Sequence, residues 1–586
     1  MRVFAAMLLG ISLAAMPLLA NDAKDAGKEE SRATTASEKA REAVKPENAV
    51  IESELQDLRN LVQSQMQELE AQRAALKAQQ LKMEVLEEKL HVSPSAPVSA
   101  PIAEPAVVSE LIPRAATGAA PRTLSASVAM PAQGAAEEKP SPLYFKIGAA
   151  EFYPLGFMDL TSISRTTQLG GIGTNFGSIA FNNTVAGRLT EERLSAQNSR
   201  IGLRTHAKFG EADVTGYLEA DFLGFLPPNG HDTSNSDSLR LRLYWVDYKR
   251  GRFEMLGGQS WSFLTPNRTG LGALPGDLFY SQDVDTNYQL GLTWTRQAGV
   301  RFILHPNKNV AMGVALENPQ QTLPSSVVVP AAAGTGYASQ FDSNSSNTSS
   351  ATGVNNPNTP NLHPDIIPKI AFDFKPGGHQ VHFDVAGLFR TFRAVNVIAT
   401  PAPITAGGTV TTTIHGGGAA ATMNVELVKN FRLIATGFYS YGGGRYIAST
   451  AGPDVIIRPN GTLSGIHSGS GIAGFEYQPN PKTVIYGYYS GAYFGKNFDG
   501  VSNATTPPVT TFTGYGFPGS SNSANRYIYE PTFGLHYMMW RNPNYGDIRI
   551  MTQFSYVSRT PWNIGKTGPA TAHMGMAYIN LRYDLP

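Results

Sequence analysis

Cysteine is absent from this sequence of 586 residues. Disulfide bonds, thiolate metal sites and a lipid anchor on cysteine are therefore excluded. The histidines are scattered, and even His379 and His382, which lie close together, have no third ligand at a zinc-like spacing. We find no convincing catalytic motif, so the sequence predicts neither an enzyme nor a bound cofactor.

Long hydrophobic runs are also lacking. Beyond the N-terminus no segment reaches the roughly 18 to 20 consecutive apolar residues that a membrane-spanning helix needs, which excludes a helical membrane protein. The formal net charge is only +1. Nothing therefore indicates a nucleic-acid partner, and electrostatic selectivity has to come from the distribution of charges.

The first 142 residues divide into four segments. Residues 1–20 have a basic start and a short apolar core that ends at Ala20, which predicts a secretory signal peptide. Residues 21–50 are charged, 51–91 carry a heptad pattern, and 92–142 form a linker rich in proline and alanine. We expect cleavage near Ala20 and a periplasmic location for residues 51–91.

The heptad pattern predicts a coiled coil. All a positions are apolar, whereas the d positions include three glutamines, and such polar layers set register and oligomer number. The a positions are Leu55, Val62, Leu69, Leu76, Met83 and Leu90, and the d positions are Ile51, Leu58, Gln65, Gln72, Gln79 and Leu86. Buried glutamine layers are compatible with a trimeric coiled coil.

Residues 143–586 alternate short turns with long polar stretches. Seven turns and eight long loops would join sixteen strands, an even number that puts both ends on the short-turn side. The turns lie at 210–211, 250–251, 306–308, 376–378, 429–430, 479–481 and 542–544. We therefore predict an all-β transmembrane barrel of about 16 antiparallel strands, wide enough for an aqueous lumen, in the outer membrane of a bacterial cell.

The strands between residues 199 and 263 are amphipathic, with apolar residues on one face and charges on the other. Leu239, Leu241 and Leu243 are expected to face lipid, and Arg240, Arg242 and Tyr244 the lumen. Near the C-terminus an aromatic face is predicted to contact the membrane, with Tyr527, Tyr529, Phe533, Leu535, Tyr537, Met539 and Trp540.

Inward charges are the candidate pore-lining residues, because charge in the lumen sets ion selectivity. The early strands supply Arg200, Arg204, His206, Lys208, Glu219, Asp221, Arg240 and Arg242; later ones supply Arg301, Lys369, Arg390, Arg432, Arg526, Arg549 and Arg582. Asp221 is expected opposite Arg200 and Arg242, either as a structural ladder or at the pore. Arg204, Arg240 and Arg390 have fewer obvious partners and are the better pore candidates.

The third long loop, residues 264–287, is predicted to fold into the lumen. Its Arg268, Asp277, Asp283 and Asp285 would then face the basic wall and create a transverse field across a narrow eyelet. The alternative is an ordinary exposed loop.

The barrel resembles the DcaP-like family of trimeric outer-membrane porins. The resemblance rests on residues 199–203, 217–222, 239–244 and 257–262, with the coiled coil as supporting architecture. It implies a homotrimer that passes small, often negatively charged solutes such as dicarboxylates.

Two other functions stay open at this point. A sugar-selective porin would show an aromatic slide in its lumen. A structural envelope tether would use residues 21–90 to contact the cell wall, with the barrel as its anchor in outer-membrane lipid.

Overall fold

The computed structural model describes residues 143–224, 238–274, 279–282, 288–329, 361–397, 409–447, 449–502, 509–564 and 568–586. It leaves out the side chains of residues 394–397, 409–410 and 501. The predicted signal peptide, charged segment, coiled coil and linker lie outside the described residues.

Strands dominate the described chain. They are β1 (Phe145–Ile147), β2 (Ala150–Arg165), β3 (Glu191–Ser195), β4 (Arg200–Phe209), β5 (Ala212–Asp221), β6 (Arg240–Arg250), β7 (Phe253–Trp261), β8 (Arg296–Asn307), β9 (Val310–Glu317), β10 (Asp365–Phe374), β11 (Val381–Val397), β12 (Thr409–Val428), β13 (Phe431–Tyr441), β14 (Val455–Ile457), β15 (Leu463–Gly465), β16 (His467–Asn480), β17 (Thr483–Phe494), β18 (Asn497–Ser502), β19 (Thr510–Tyr515), β20 (Asn525–Asn542), β21 (Gly546–Pro561) and β22 (Ala572–Asp584). Short 3₁₀ helices lie at Phe176–Ser178, Ala186–Arg188, Pro376–Gly378 and Gly444–Tyr446. No helix among these residues is long and apolar enough to cross a membrane.

Eighteen of the strands form one antiparallel sheet. Residues Phe157–Arg165 of β2 pair with Met576–Asp584 of β22, which closes the sheet into a barrel. β3 and β4 pair with different parts of the same edge of β2, so together they occupy one position in the wall. On the other edge of β2, β1 and β22 share one position in the same way. The barrel therefore has 16 wall positions, as predicted.

All seven predicted turns connect neighbouring wall strands. Glycine serves three of them, because Gly210 (φ 64°), Gly251 (φ 57°) and Gly377 (φ 59°) adopt the left-handed backbone that other residues disfavour. We call the eight segments that join successive wall strands at the opposite end L1 (166–190), L2 (222–239), L3 (262–295), L4 (318–364), L5 (398–408), L6 (442–466), L7 (495–524) and L8 (562–571). β14 and β15 pair within L6, and β18 and β19 within L7.

The outer face is apolar, as the alternation predicted. Tyr527, Phe533, Tyr537, Met539 and Trp540 are all exposed on the outside of β20. The prediction fails on β6, where the register shifts and Leu243, not Leu241, lies opposite the inward Glu219. Leu243 is consequently buried inside the barrel and Tyr244 is exposed outside it, because a bulge adds one residue and reverses the alternation beyond it.

The large hydrophobic cluster of this protein lies inside the barrel. L3 contributes Phe263, Leu264, Leu290 and Leu292 to one large apolar cluster, which inward residues of many wall strands complete. Phe176 of L1 stacks on Tyr288 of L3, with ring centroids 6.0 Å apart. Loop side chains thus fill part of a space that sixteen strands would otherwise leave to water.

Candidate pore lining

L3 folds into the barrel, which confirms the prediction. Its hydrogen bonds follow the inner wall: Lys369 of β10 donates to the Thr265 carbonyl oxygen (2.8 Å), and the Asn267 N–H donates to Asp384 of β11 (3.3 Å). Further along, the Gln282 N–H donates to the Gln553 Oε1 of β21 (2.7 Å). The described part of L3 is thereby held against the wall from β10 to β21.

Arg268 is the strongest anchor of this loop. Its guanidinium binds both carboxylate oxygens of Glu476 on β16, at 2.7 and 2.9 Å. Although burial acts against it, the attraction of Glu476 raises the pKa of Arg268 above its ordinary value. Arg268 therefore binds the far wall and does not face the basic wall, contrary to prediction. Asp277, Asp283 and Asp285 lie outside the described residues.

Five predicted residues meet on the wall of β4, β5 and β6. We call this set the β4–β6 charge cluster: Arg200, Glu219, Asp221, Arg240 and Arg242. Asp221 lies opposite Arg200 on one side and Arg240 on the other. The bulge on β6 turns Arg242 into the same group, so three guanidiniums share two carboxylates.

The contacts within the cluster are short. Arg242 reaches Glu219 and Asp221 at 2.6 Å each, and Arg240 reaches Asp221 at 2.6 Å. Arg200 lies 3.7 Å from Glu219. Arg242 is fully buried, whereas the side chain of Arg240 is 32% exposed. Arg240 was expected to have fewer obvious partners but binds Asp221, and Asp221 also contacts Arg242, as the ladder interpretation expects.

The remaining predicted residues of β4 point inward toward the short-turn end. Arg204 stacks over the ring of Tyr153, 4.8 Å from its centroid, and makes no ion pair with any described carboxylate. His206 Nε2 lies 3.2 Å from Asp213 Oδ1, and Lys208 is exposed. Arg204 is thus the one better pore candidate without a carboxylate partner in the described structure.

Arg390, the third better candidate, proves to be structural. It is buried beside Asp365 and Asp454, at 3.3 Å from each. Arg445 of L6 also reaches Asp365 (3.3 Å), and its N–H donates to Asp454 (2.9 Å). We call Asp365, Arg390, Arg445 and Asp454 the L6 latch, because they hold L6 to β10 and β11.

A second cluster of inward charges contains arginines that were predicted and aspartates that were not. Arg582 binds Asp159 (2.8 Å) across the closure of the barrel, and Arg549 binds Asp584 (2.7 Å). Asp547 lies 2.8 Å from Arg549. The arginines were predicted to face inward from alternation, and the same alternation applied to β2, β21 and β22 would have found the aspartates.

Of the other residues that were predicted to face inward, most do so and one does not. Arg301 and Lys369 are buried inside the barrel, and Arg432 of β13 pairs opposite Glu476. Arg526 does not face inward: it is the bulged residue between Asn525 and Tyr527, and it is exposed.

Inward aromatic residues are packed against each other. Tyr217 stacks on Trp245 with centroids 5.1 Å apart, and Trp261 on Trp294 at 3.9 Å. All four are buried, so these rings do not form the exposed slide that a sugar channel would use.

Comparison with solved structures addresses the fold. The outer membrane channel DcaP of Acinetobacter baumannii matches 75% of this chain and 99% of its own at 14% identity, with a TM-score of 0.53. This chain has the fold of the DcaP channel. The expected likeness to DcaP-like porins is thus confirmed at the level of the fold.

Weaker similarity is found with other porins. An anion-selective porin from Comamonas acidovorans matches at 10% identity over 74% of this chain and all of its own, with a TM-score of 0.40. OmpT of Vibrio cholerae matches at 10% identity over 75% and 99%, with a TM-score of 0.38. No protein-family model and no curated protein matches the sequence.

Proposed function

We propose that this protein is an outer-membrane diffusion porin that passes small hydrophilic solutes and favours anions such as dicarboxylates. The observation that carries the proposal is the excess of positive charge on the inner wall of β4 to β6. The β4–β6 charge cluster holds three arginines against two carboxylates. Below it, Arg204, Lys208 and Lys249 are accompanied by the carboxylates Asp213 and Asp247, so the wall stays positive overall.

The neighbouring cluster does not cancel this excess. Asp159, Asp547 and Asp584 are matched there by Arg541, Arg549 and Arg582, at 2.7 to 3.2 Å. Of these two clusters, only the one on β4 to β6 therefore carries a net charge. Arginine suits carboxylate solutes because its planar fork can bind both oxygens at once.

The position of L3 supports a passage along this wall. Its described residues are bound to β10 through β21, so the open side of the lumen would lie against β22, β2 and β4 to β6. Solutes would then pass Arg240 and Arg204, whose side chains remain partly exposed. Narrowing by an inward loop limits the size of solutes, and fixed charge selects among them. This function needs no catalytic step and no cofactor.

We further propose that three copies assemble in the outer membrane, with residues 51–91 as a periplasmic coiled coil and residues 21–50 free to contact the cell wall. The heptad pattern supports this assembly, and the likeness to DcaP-like porins agrees with it. Chemical cross-linking of intact cells should give a trimer as the largest species.

Solute transport can be tested by swelling of liposomes that contain the purified full-length protein. Small dicarboxylates should enter faster than neutral sugars of similar size, and faster than diamines. Equal rates for all three classes would leave a porin without charge preference, and faster sugar entry would support the sugar channel. Liposomes that do not swell in any solute would contradict the porin itself.

A further inference from the structure

A cationic site lies on the extracellular rim of the barrel, outside the lumen. Arg526 was expected to point inward, but the bulge in β20 turns it out. Its guanidinium lies over the ring of Trp562, 4.8 Å from the centroid. The Lys496 ammonium, just beyond the end of β17, lies 5.6 Å from the same centroid. One tryptophan thus positions two positive charges.

Neither charge is neutralised by a carboxylate of the described residues. Lys496 and Arg526 are both exposed, and within the described chain their charged groups lie over aromatic rings and form no ion pair. Two other cations that contact L7 behave differently: Arg458 of L6 binds Asp499 at 2.8 Å, and Arg559 of β21 donates to the Asn522 carbonyl oxygen at 2.6 Å. This pair of charges is therefore available to an external anion.

The ring between them is fixed in place. The Trp562 indole N–H donates to the Phe494 carbonyl oxygen (2.9 Å), and the Trp562 backbone N–H donates to that of Ala524 (2.9 Å). Tyr493 packs edge-on against the indole, with centroids 6.2 Å apart. A preorganised site loses little conformational entropy when it binds.

A column of tyrosines on the outer face indicates the level of this site relative to the membrane. Tyr489 stacks on Tyr529, and Tyr493 lies directly opposite Tyr527. Tyrosine rings concentrate at the level of lipid head groups. Lys496 follows Tyr493 by three residues, about 10 Å farther along an extended chain. The two charges therefore lie at or just above the head groups of the outer leaflet.

We propose that Lys496, Arg526 and Trp562 bind a phosphate group of an outer-leaflet glycolipid, namely phosphorylated lipid A. Arginine offers phosphate a planar pair of donors, and lysine offers a compact positive charge. Tryptophan is enriched at the interface between membrane and water. A lipid is the occupant because the charges face outward above the tyrosine column, where acyl chains can follow the apolar wall. A soluble phosphate ion would have no such second contact.

The experiment is native mass spectrometry of the full-length protein with bisphosphorylated lipid A. The wild type should retain the lipid, and a Lys496→Gln/Arg526→Gln variant should lose roughly fivefold in affinity for each charge removed. The matched control is Lys429→Gln/Lys482→Gln, which removes two exposed cations from turns at the other end of the barrel. It should bind like the wild type.

Three outcomes would overturn the proposal: unchanged binding in the rim variant, equal binding of fully dephosphorylated lipid A, or equally strong binding of inorganic phosphate alone. Lys496→Arg should keep the affinity, which separates a need for charge from a need for lysine itself. Conductance in bilayers should not change in the rim variant, so this test is independent of the porin proposal.

Discussion

Three arginines and two carboxylates lie together on the wall of β4 to β6, and this imbalance has two consequences. Arg242 is fully buried, so it depends on Glu219 and Asp221 for compensation of its charge. A buried guanidinium without such partners is very costly. The excess positive charge of the cluster is then accessible to solvent mainly at Arg240, whose side chain is partly exposed.

Asp221→Asn should destabilise the barrel, because Arg240 and Arg242 would lose a shared carboxylate. Breaking a buried ion pair on one side costs about 3 to 5 kcal/mol. The temperature at which the folded form disappears on semi-native gels should fall clearly. Glu211→Gln is the control, because its pair with Arg250 is exposed and such pairs contribute about 0 to 1 kcal/mol. Equal thermal stability of the two variants would contradict this role.

Arg204→Ala should reduce anion preference without affecting folding. Arg204 contacts the Tyr153 ring and no described carboxylate, so its removal leaves no unpaired partner. One charge near a solute contributes about 1 kcal/mol in a watery environment, so the ratio of anion to cation permeability should fall by up to about fivefold. An unchanged ratio would show that Arg204 does not face the solute path. Lys482→Ala, in an exposed turn, is the matched control.

At the scale of elements, the pair of Arg268 with Glu476 is one of the contacts that hold L3 against the wall. The pair with Glu476 is two-pronged and largely buried, with side-chain exposures of 17% and 8%. Backbone hydrogen bonds to Asp373 and Asp384 hold the same part of the loop. Such a loop should act as a fixed constriction.

Arg268→Ala should loosen L3 and give a larger, noisier single-channel conductance. Glu476→Gln should have a similar effect, because it removes the other half of the pair. The double variant should be no worse than either single variant, since residues of one pair do not act independently. Additive effects, or an unchanged conductance, would mean that other contacts hold L3.

The L6 latch leads to a separate prediction. Asp454→Asn leaves two buried arginines with only Asp365, at a cost of about 3 to 5 kcal/mol, which favours opening of L6. Trypsin should then cleave after Arg445 and Arg458 faster than in the wild type. Asp499→Asn removes only a half-exposed partner of Arg458 and should have a smaller effect. Equal cleavage rates would show that the latch does not hold the loop.

The sequence was sufficient to predict the barrel, its sixteen strands, its seven turns and the inward course of L3. Turn residues and alternation are local signals, so they can be read without knowing which strands meet. The bulges at Arg242 and Arg526 could not be found that way, because one extra residue leaves the composition of a strand unchanged and reverses its faces. Glu476 and Asp454, which bind Arg268 and Arg390, were missed for another reason: they lie far along the chain and meet these arginines only inside the closed barrel. Asp365 could have been found, because β10 and β11 form a hairpin that brings it to Arg390.

At the scale of the whole molecule, closure explains how the charges are arranged. Pairing of β2 with β22 brings Asp159 to Arg582, which balances that part of the wall, while β4 to β6 keep a surplus. L3 is bound to the opposite side of the barrel. The proposed passage is thus positive on one side and lined by a fixed loop on the other.

Residues 21–91 are proposed to act outside the channel. Their deletion should leave the single-channel conductance unchanged, because the barrel closes through contacts of residues after 143. Loss of envelope integrity in cells with the deletion, at normal conductance, would support the tether as an additional role. A changed conductance would show that this segment contributes to the pore.

The zero-current potential of the purified protein in a planar bilayer under a potassium chloride gradient tests the central claim most directly. A positive surplus at β4 to β6 predicts that chloride is more permeant than potassium, so the potential should have the sign of an anion-selective channel. A potential of cation-selective sign, or no conductance at all, would contradict the account.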